Sequence, residues 1–265
     1  MSHAHLSAEI DRYAYTNALA KKSPTTKLFF ALSTLVISVS APTLIIPIII
    51  FAVNTAVLLS VAKIPARFYL HLLLIPISAV TLSCAILALF FGYDESLTQV
   101  MFPWFTWTIY QNGITIAIAT FFRVVGAISA QYFLVLTTSV TDIFIILRRI
   151  RVPTVVVETS LLIYRYIFVF IEITEQMNTA QKLRLGHSSL LRRIRSVAMV
   201  AGNLFIRTLE QGERTMTAMN ARGYDGNIRV LEDLPSPKKT ALAGIALFDA
   251  ALVISIFILL GAGVV

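Results

Sequence analysis

The chain is poor in cysteine, in charge and in the short motifs that mark catalysis. Cys84 is the one cysteine among 265 residues, so neither an intrachain disulfide nor a cysteine metal cluster can form. Only 14% of the residues are charged, too few for the surface of an ordinary globular domain. No Gly-Lys pair occurs, which removes a Walker phosphate loop and ATP binding of that kind. The His-Glu-x-x-His and Gly-x-Ser-x-Gly patterns are missing too, and no catalytic constellation replaces them. The chain is therefore read as non-enzymatic, with no cofactor and no metal site of its own.

What is abundant is apolar. Hydrophobic residues make up 57% of the chain and the mean hydropathy is +0.79, the composition of a polytopic membrane protein. In a soluble protein a formal charge of +8 would suggest nucleic acid. Here acids alternate with the bases, and the positive-inside rule accounts for the surplus without a nucleic-acid partner.

Taken in order, residues 1–27 form a polar cytoplasmic segment with Asp11, Arg12, Lys21, Lys22 and Lys27, closed by a Ser23-Pro24 turn. Its start after Lys27 also makes the first apolar run an unsuitable cleavable signal peptide. Residues 28–138 hold four transmembrane helices. Leu28 to Ser40 and Leu44 to Ala62 are joined by an uncharged break at Ala41-Pro42-Thr43. Lys63 and Arg67 mark the next cytoplasmic turn, and Phe68 to Phe91 follows with a kink expected at Pro76. Gly92 to Asn112 reads as an outer loop, with Asp94 and Glu95 but no Lys or Arg, and with Trp104, Trp107 and Tyr110 as an interfacial belt. The fourth span is Gly113 to Thr137.

Residues 139–239 read as a cytoplasmic domain of three helices; Thr141 to Thr240 carries 15 of the 22 Lys and Arg and 9 of the 14 acids. Its first helix is announced by Ser139-Val140-Thr141-Asp142, a capping-box spacing with Asp in place of Glu, and ends at Val152-Pro153. The second runs to about Leu185. The third ends at Arg222, with Leu191, Ile194, Ala198, Ala201, Phe205 and Thr208 on one face that needs a partner, either the preceding helix or membrane lipid. Residues 240–265 supply a fifth span, so the N-terminus is expected inside and the C-terminus outside a multi-pass membrane protein. The fold class is all-α.

Four histidines and two charges are candidate site residues. His3 and His5 form a His-x-His pair whose plainer reading is a solvated tail; His71 reads as interfacial packing and His187 as a turn residue. Arg123 and Asp249 lie at membrane depth, where charge is costly and marks either function or a structural pair. A buried salt bridge between them explains both costs at once.

Two stretches of the polar domain look alike. Leu183-Arg184-Leu185-Gly186 and, 38 positions later, Ala221-Arg222-Gly223 each end a helix with an arginine next to or near a glycine. A cation suits the partial negative charge of a helix C-terminus, and arginine adds a bidentate fork for a partner carboxylate. Either ending alone is ordinary capping. Their repetition between hydrophobic spans suggests docking.

At these residues the chain resembles the transmembrane T component of energy-coupling factor transporters, and within it the cobalt-type CbiQ proteins. The most specific stretch is Ala221-Arg222-Gly223 within Glu213 to Gly226. Leu183-Arg184-Leu185 corresponds to an earlier family motif whose flanking residues are small, where this chain has leucines. Leu136 to Asp142 followed by Leu147 to Pro153, and Asp11 to Asn17 with Ser23-Pro24 and Lys27, are similar as well.

The resemblance implies a coupling subunit of an ABC-type importer in a prokaryotic cell membrane. Two cytoplasmic ATPase subunits would each accept one arginine-bearing end, made of Arg184 with Leu183, Leu185 and Gly186, and of Arg222 with Ala221 and Gly223. Closure on ATP would move long crossed helices against a separate substrate-binding membrane subunit, of CbiM or another type, with cobalt the expected cargo and nickel or a vitamin the alternatives. An ordinary ABC permease and a polytopic membrane enzyme are the competing readings. The first would carry its own translocation path, and the second needs polar clusters on several spans.

Overall fold

In the computed structural model, residues 3–91, 96–101, 106–226, 235 and 237–261 are described. They divide into two compact units, one formed by residues 1–139 with 234–265 and the other by 140–233. Expected features at Asp94, Glu95 and Trp104 lie outside the described residues.

The first unit holds α1 (His3–Thr16), α2 (Pro24–Ser40), α3 (Ile45–Ala56), α4 (Ala66–Phe90), α5 (Gln111–Thr137) and α9 (Lys239–Gly261). Pro24 at the first helical position starts α2 without sacrificing a hydrogen bond. The α3 helix continues as a π turn over Val57–Val61, and α4 is continuous through Pro76. Between α4 and α5 lies a two-stranded antiparallel hairpin, β1 (Ser96–Met101) with β2 (Thr106–Tyr110), where the sequence had suggested a plain loop. Alternating Thr, Trp, Thr, Ile and Tyr in β2 have high strand propensity, and pairing satisfies backbone groups that a loop leaves to solvent.

Helix α5 is the centre of this unit: α2, α3 and α4 all pack on it, α1 crosses its end, and α9 lies against α2. Small and polar contacts hold it there, as expected where lipid supplies no hydrophobic drive between helices. Asn54 is fully buried and its Nδ2 donates to Ser129 Oγ at 3.2 Å; Ser129 in turn donates to the Gly126 carbonyl at 2.6 Å. Ser38 Oγ of α2 donates to the Arg123 carbonyl, and Tyr132 OH to the Leu72 carbonyl. Buried Lys27 and Asn17 donate to the carbonyls of Thr137 and Leu136, tying α1 and the start of α2 to the last turn of α5. Lys27, read in the sequence as a topology signal, is thus also a structural side chain.

Four helices among the described residues are long and apolar enough to cross a membrane: α4, α5, α9 and α7 (Thr154–Leu183). The protein is therefore a helical polytopic membrane protein. The count differs from the five expected spans in two ways. The apolar helices Pro24–Ser40 and Ile45–Val61 are shorter than the about 20 residues of a full span. And α7, read as cytoplasmic, qualifies by composition because Glu158 and Arg165 are the only charges in its first 18 residues.

The second unit contains α6 (Val140–Arg149), α7 and α8 (Leu190–Ala221). The last two form an antiparallel hairpin. Ser196 Oγ donates to the Gly186 carbonyl at 3.1 Å near the turn, Tyr166 bonds Thr215 midway, and Tyr224 OH donates to Glu158 at 3.1 Å at the far end. The sums of these paired positions are nearly constant, so the two helices stay side by side along their length, whereas the resemblance implied a crossed pair.

Candidate functional site

All three helices of the second unit end the same way. At the close of α7, Arg184 is the cap residue, Leu185 takes the left-handed conformation at φ +59°, and Gly186 N–H donates back to the Gln181 carbonyl at 2.9 Å. At the close of α8, Arg222 is the cap, Gly223 is left-handed at φ +77°, and Tyr224 N–H donates to the Met219 carbonyl at 3.1 Å. Both are Schellman endings with arginine in the same place. The end of α6 repeats the form, with Arg151 at φ +68° and Val152 N–H returning to the Leu147 carbonyl. That third ending was not singled out from the sequence, because Arg151 itself occupies the left-handed position and no glycine marks it.

The expected glycine roles divide. Gly223 takes the positive φ, as its lack of a Cβ permits, and a Cβ there would meet nothing within 4 Å. Gly186 does not; its function is closeness, since a Cβ would fall 2.2 Å from Ser196 Oγ and 2.9 Å from the Gln181 carbonyl. Leu185 carries the left-handed strain in its stead, at a cost of about 1 kcal/mol. Leu185→Gly is therefore expected to leave the thermal unfolding temperature unchanged or raise it, while Gly186→Ala lowers stability by about 1 to 3 kcal/mol by prising the hairpin turn open. Thermal unfolding of the two purified variants checks both signs.

Around the arginines the chemistry is unequal. Leu183 and Leu185 are 81% and 69% exposed on either side of Arg184, and Leu190, Leu191 and Ile194 continue the apolar surface onto α8. Arg222 is exposed beside exposed Ala221 and Gly223, with no bulky flank. At that end, desolvation against α7 and then the Glu158 carboxylate push the Tyr224 phenol above its ordinary value, which keeps it a hydrogen-bond donor.

Of the two partners expected for the α8 stripe, the preceding helix is not the one it meets. The α8 face toward α7 is Ser196, Val200, Leu204, Gln211, Thr215 and Met219, whereas Leu191, Ile194 and Phe205 are exposed at 81%, 61% and 64%. Of the stripe, only Thr208 is half-buried. The face toward α7 is mixed, with Ser196 and Thr215 bonding across the hairpin beside apolar Val200, Leu204 and Met219, while Leu191, Ile194 and Phe205 are left outward.

A family model for cobalt transport proteins, CbiQ, matches residues 16–232. The chain belongs to the CbiQ family. It is similar to an uncharacterised protein of Methanocaldococcus jannaschii, 38% identical over 245 residues that cover 92% of this chain and 91% of that one. It is 29% identical to the cobalt transport protein CbiQ of Rhodobacter capsulatus over 92% of this chain and 96% of that one. A putative fused cobalt transport protein CbiMQ of Methanocorpusculum labreanum is 34% identical over 90% of this chain, which spans only 40% of the fused protein. As a CbiQ-family protein the chain is a membrane component of a transporter.

The expected charge pair of the CbiQ-family chain is not formed. Arg123 Nη2 donates to the Pro42 carbonyl at 3.3 Å and its Nε is buried without a partner. Asp249 has the Ser33 hydroxyl as its neighbour, and its Oδ1 is likewise buried without a partner. Arg123 reaches the α2–α3 turn at Pro42, whereas Asp249 lies beside Ser33, nine positions earlier in the chain, so the two charges meet α2 at different levels.

Proposed function

We propose that this chain is the coupling subunit of an energy-coupling factor importer for cobalt. Two ATPase subunits each grip one arginine-capped end, Arg184 with Leu183, Leu185 and Gly186 at one and Arg222 with Ala221 and Gly223 at the other. The observation that carries this reading is the repeated cap. The same Schellman geometry presents an exposed arginine twice, and because α7 and α8 are antiparallel the two ends lie at opposite ends of a hairpin about 45 Å long. That separation suits two copies of a subunit.

Closure of the pair on ATP then works the hairpin, and the exposed Leu191, Ile194 and Phe205 face meets a separate substrate-binding membrane subunit. The name of the fused relative supports a CbiM-type subunit in that role. The N-terminus lies on the ATPase side and the C-terminus opposite. Copurification with coexpressed ATPases from the same locus tests the reading: two ATPase copies per chain are expected, and a complex that saturates at one removes the second dock.

A further inference from the structure

We propose that the first unit holds a site for the phosphate headgroup of an anionic phospholipid, at the start of α2. A cavity of about 510 Å³ opens there between α2, α5 and α9. Lys21, Lys22 and Lys238 stand at its rim, all exposed, and Lys27 lines its wall. Among the described residues, no acidic side chain lines it.

The polar end of the cavity is built for an acceptor-rich ligand. Ser23 is the N-cap of α2 yet makes no capping bond, and Thr25 and Thr26 follow where a first turn has no earlier carbonyl to receive its N–H groups. The helix dipole adds partial positive charge at that point. Ser23 is only 8% exposed and lines the cavity, and among the described residues neither its hydroxyl nor that of Thr26, which also lines the cavity, has a partner. A buried hydroxyl normally finds a partner, and two facing one cavity call for a ligand that supplies oxygens.

The other end is apolar, floored by Leu19, Phe30, Phe133 and Ile245. Free phosphate has no use for such a floor. A phospholipid does, with its headgroup on the lysines and hydroxyls and the start of an acyl chain on the rings. The level agrees, because α2 and α9 both begin beside the cavity, where apolar helices leave the hydrocarbon for the headgroup layer.

The test is thermal unfolding of the purified full-length chain in neutral detergent, titrated with phosphatidylglycerol, phosphatidylcholine or inorganic phosphate. Phosphatidylglycerol is expected to stabilise at about tenfold lower concentration than phosphatidylcholine, and phosphate not at all. The triple variant Lys21→Glu, Lys22→Glu, Lys238→Glu should raise the half-saturating concentration about tenfold or more, whereas Lys63→Glu, Arg67→Glu, Lys239→Glu, of equal charge but off the cavity, should change it less than about twofold. Ser23→Ala and Thr26→Val, which keep the charge, should each weaken the effect severalfold and serve where the triple variant folds poorly. Equal losses in the two triple variants would show bulk attraction and overturn the site. So would phosphatidylcholine as effective as phosphatidylglycerol, or inorganic phosphate as effective as either.

Discussion

Reversing both cap arginines, Arg184→Glu with Arg222→Glu, is expected to strip the ATPase subunits from the complex and abolish uptake while the chain still inserts and holds its substrate-binding partner. Both side chains are exposed caps, so neither reversal touches the bundle. Arginine stays charged and offers a planar fork, and when such a group is desolvated against a carboxylate, truncation leaves the partner buried and unpaired. Each single loss should cost about 2 to 5 kcal/mol of docking, tens to thousands in affinity. Glu adds repulsion to that loss, and Lys rescues in part because it keeps charge without the fork.

The two ends should also differ. Leu183 and Leu185 add apolar area at Arg184 that Ala221 and Gly223 do not, so the Arg222 end should be the more sensitive to salt. Quantifying ATPase in complexes purified from the single and double variants decides the matter. Wild-type ATPase content and transport in the double variant would leave both arginines as helix caps and nothing more.

Adding one methyl group at the centre of the bundle, Gly126→Ala, is expected to destabilise the chain by about 2 to 3 kcal/mol. The new Cβ would lie 2.4 Å from Ser38 Oγ and 2.9 Å from the Pro47 carbonyl. Ser38 can turn away, at the cost of its bond to the Arg123 carbonyl, but the Pro47 backbone cannot yield without moving α3. Gly202→Ala in α8 is the matched control. A Cβ there meets nothing within 4 Å, and the helix gains about 1 kcal/mol from alanine's higher propensity. Opposite signs in thermal unfolding are the expected result; a stabilising Gly126→Ala would contradict the close packing of α2, α3 and α5.

Sequence by itself determined what depends on composition and on neighbours along the chain. Scarce charge and long apolar runs fix a helical polytopic membrane protein, since a backbone in lipid must satisfy its own hydrogen bonds. The left-handed Gly223 followed from the local rule of helix ends, whereas α2 begins at Pro24, ahead of the apolar run from Leu28 that marked it in the sequence. Tertiary structure decided what depends on direction around a helix axis. It turned Leu191, Ile194 and Phe205 outward, buried Lys27 against the end of α5, and gave the positive φ of the α7 ending to Leu185 because Gly186 was needed for contact with Ser196. Spacing along a helix says which residues share a face. Only packing says what that face meets, because the fit of two helix surfaces, ridges of one in the grooves of the other, settles which sides come together.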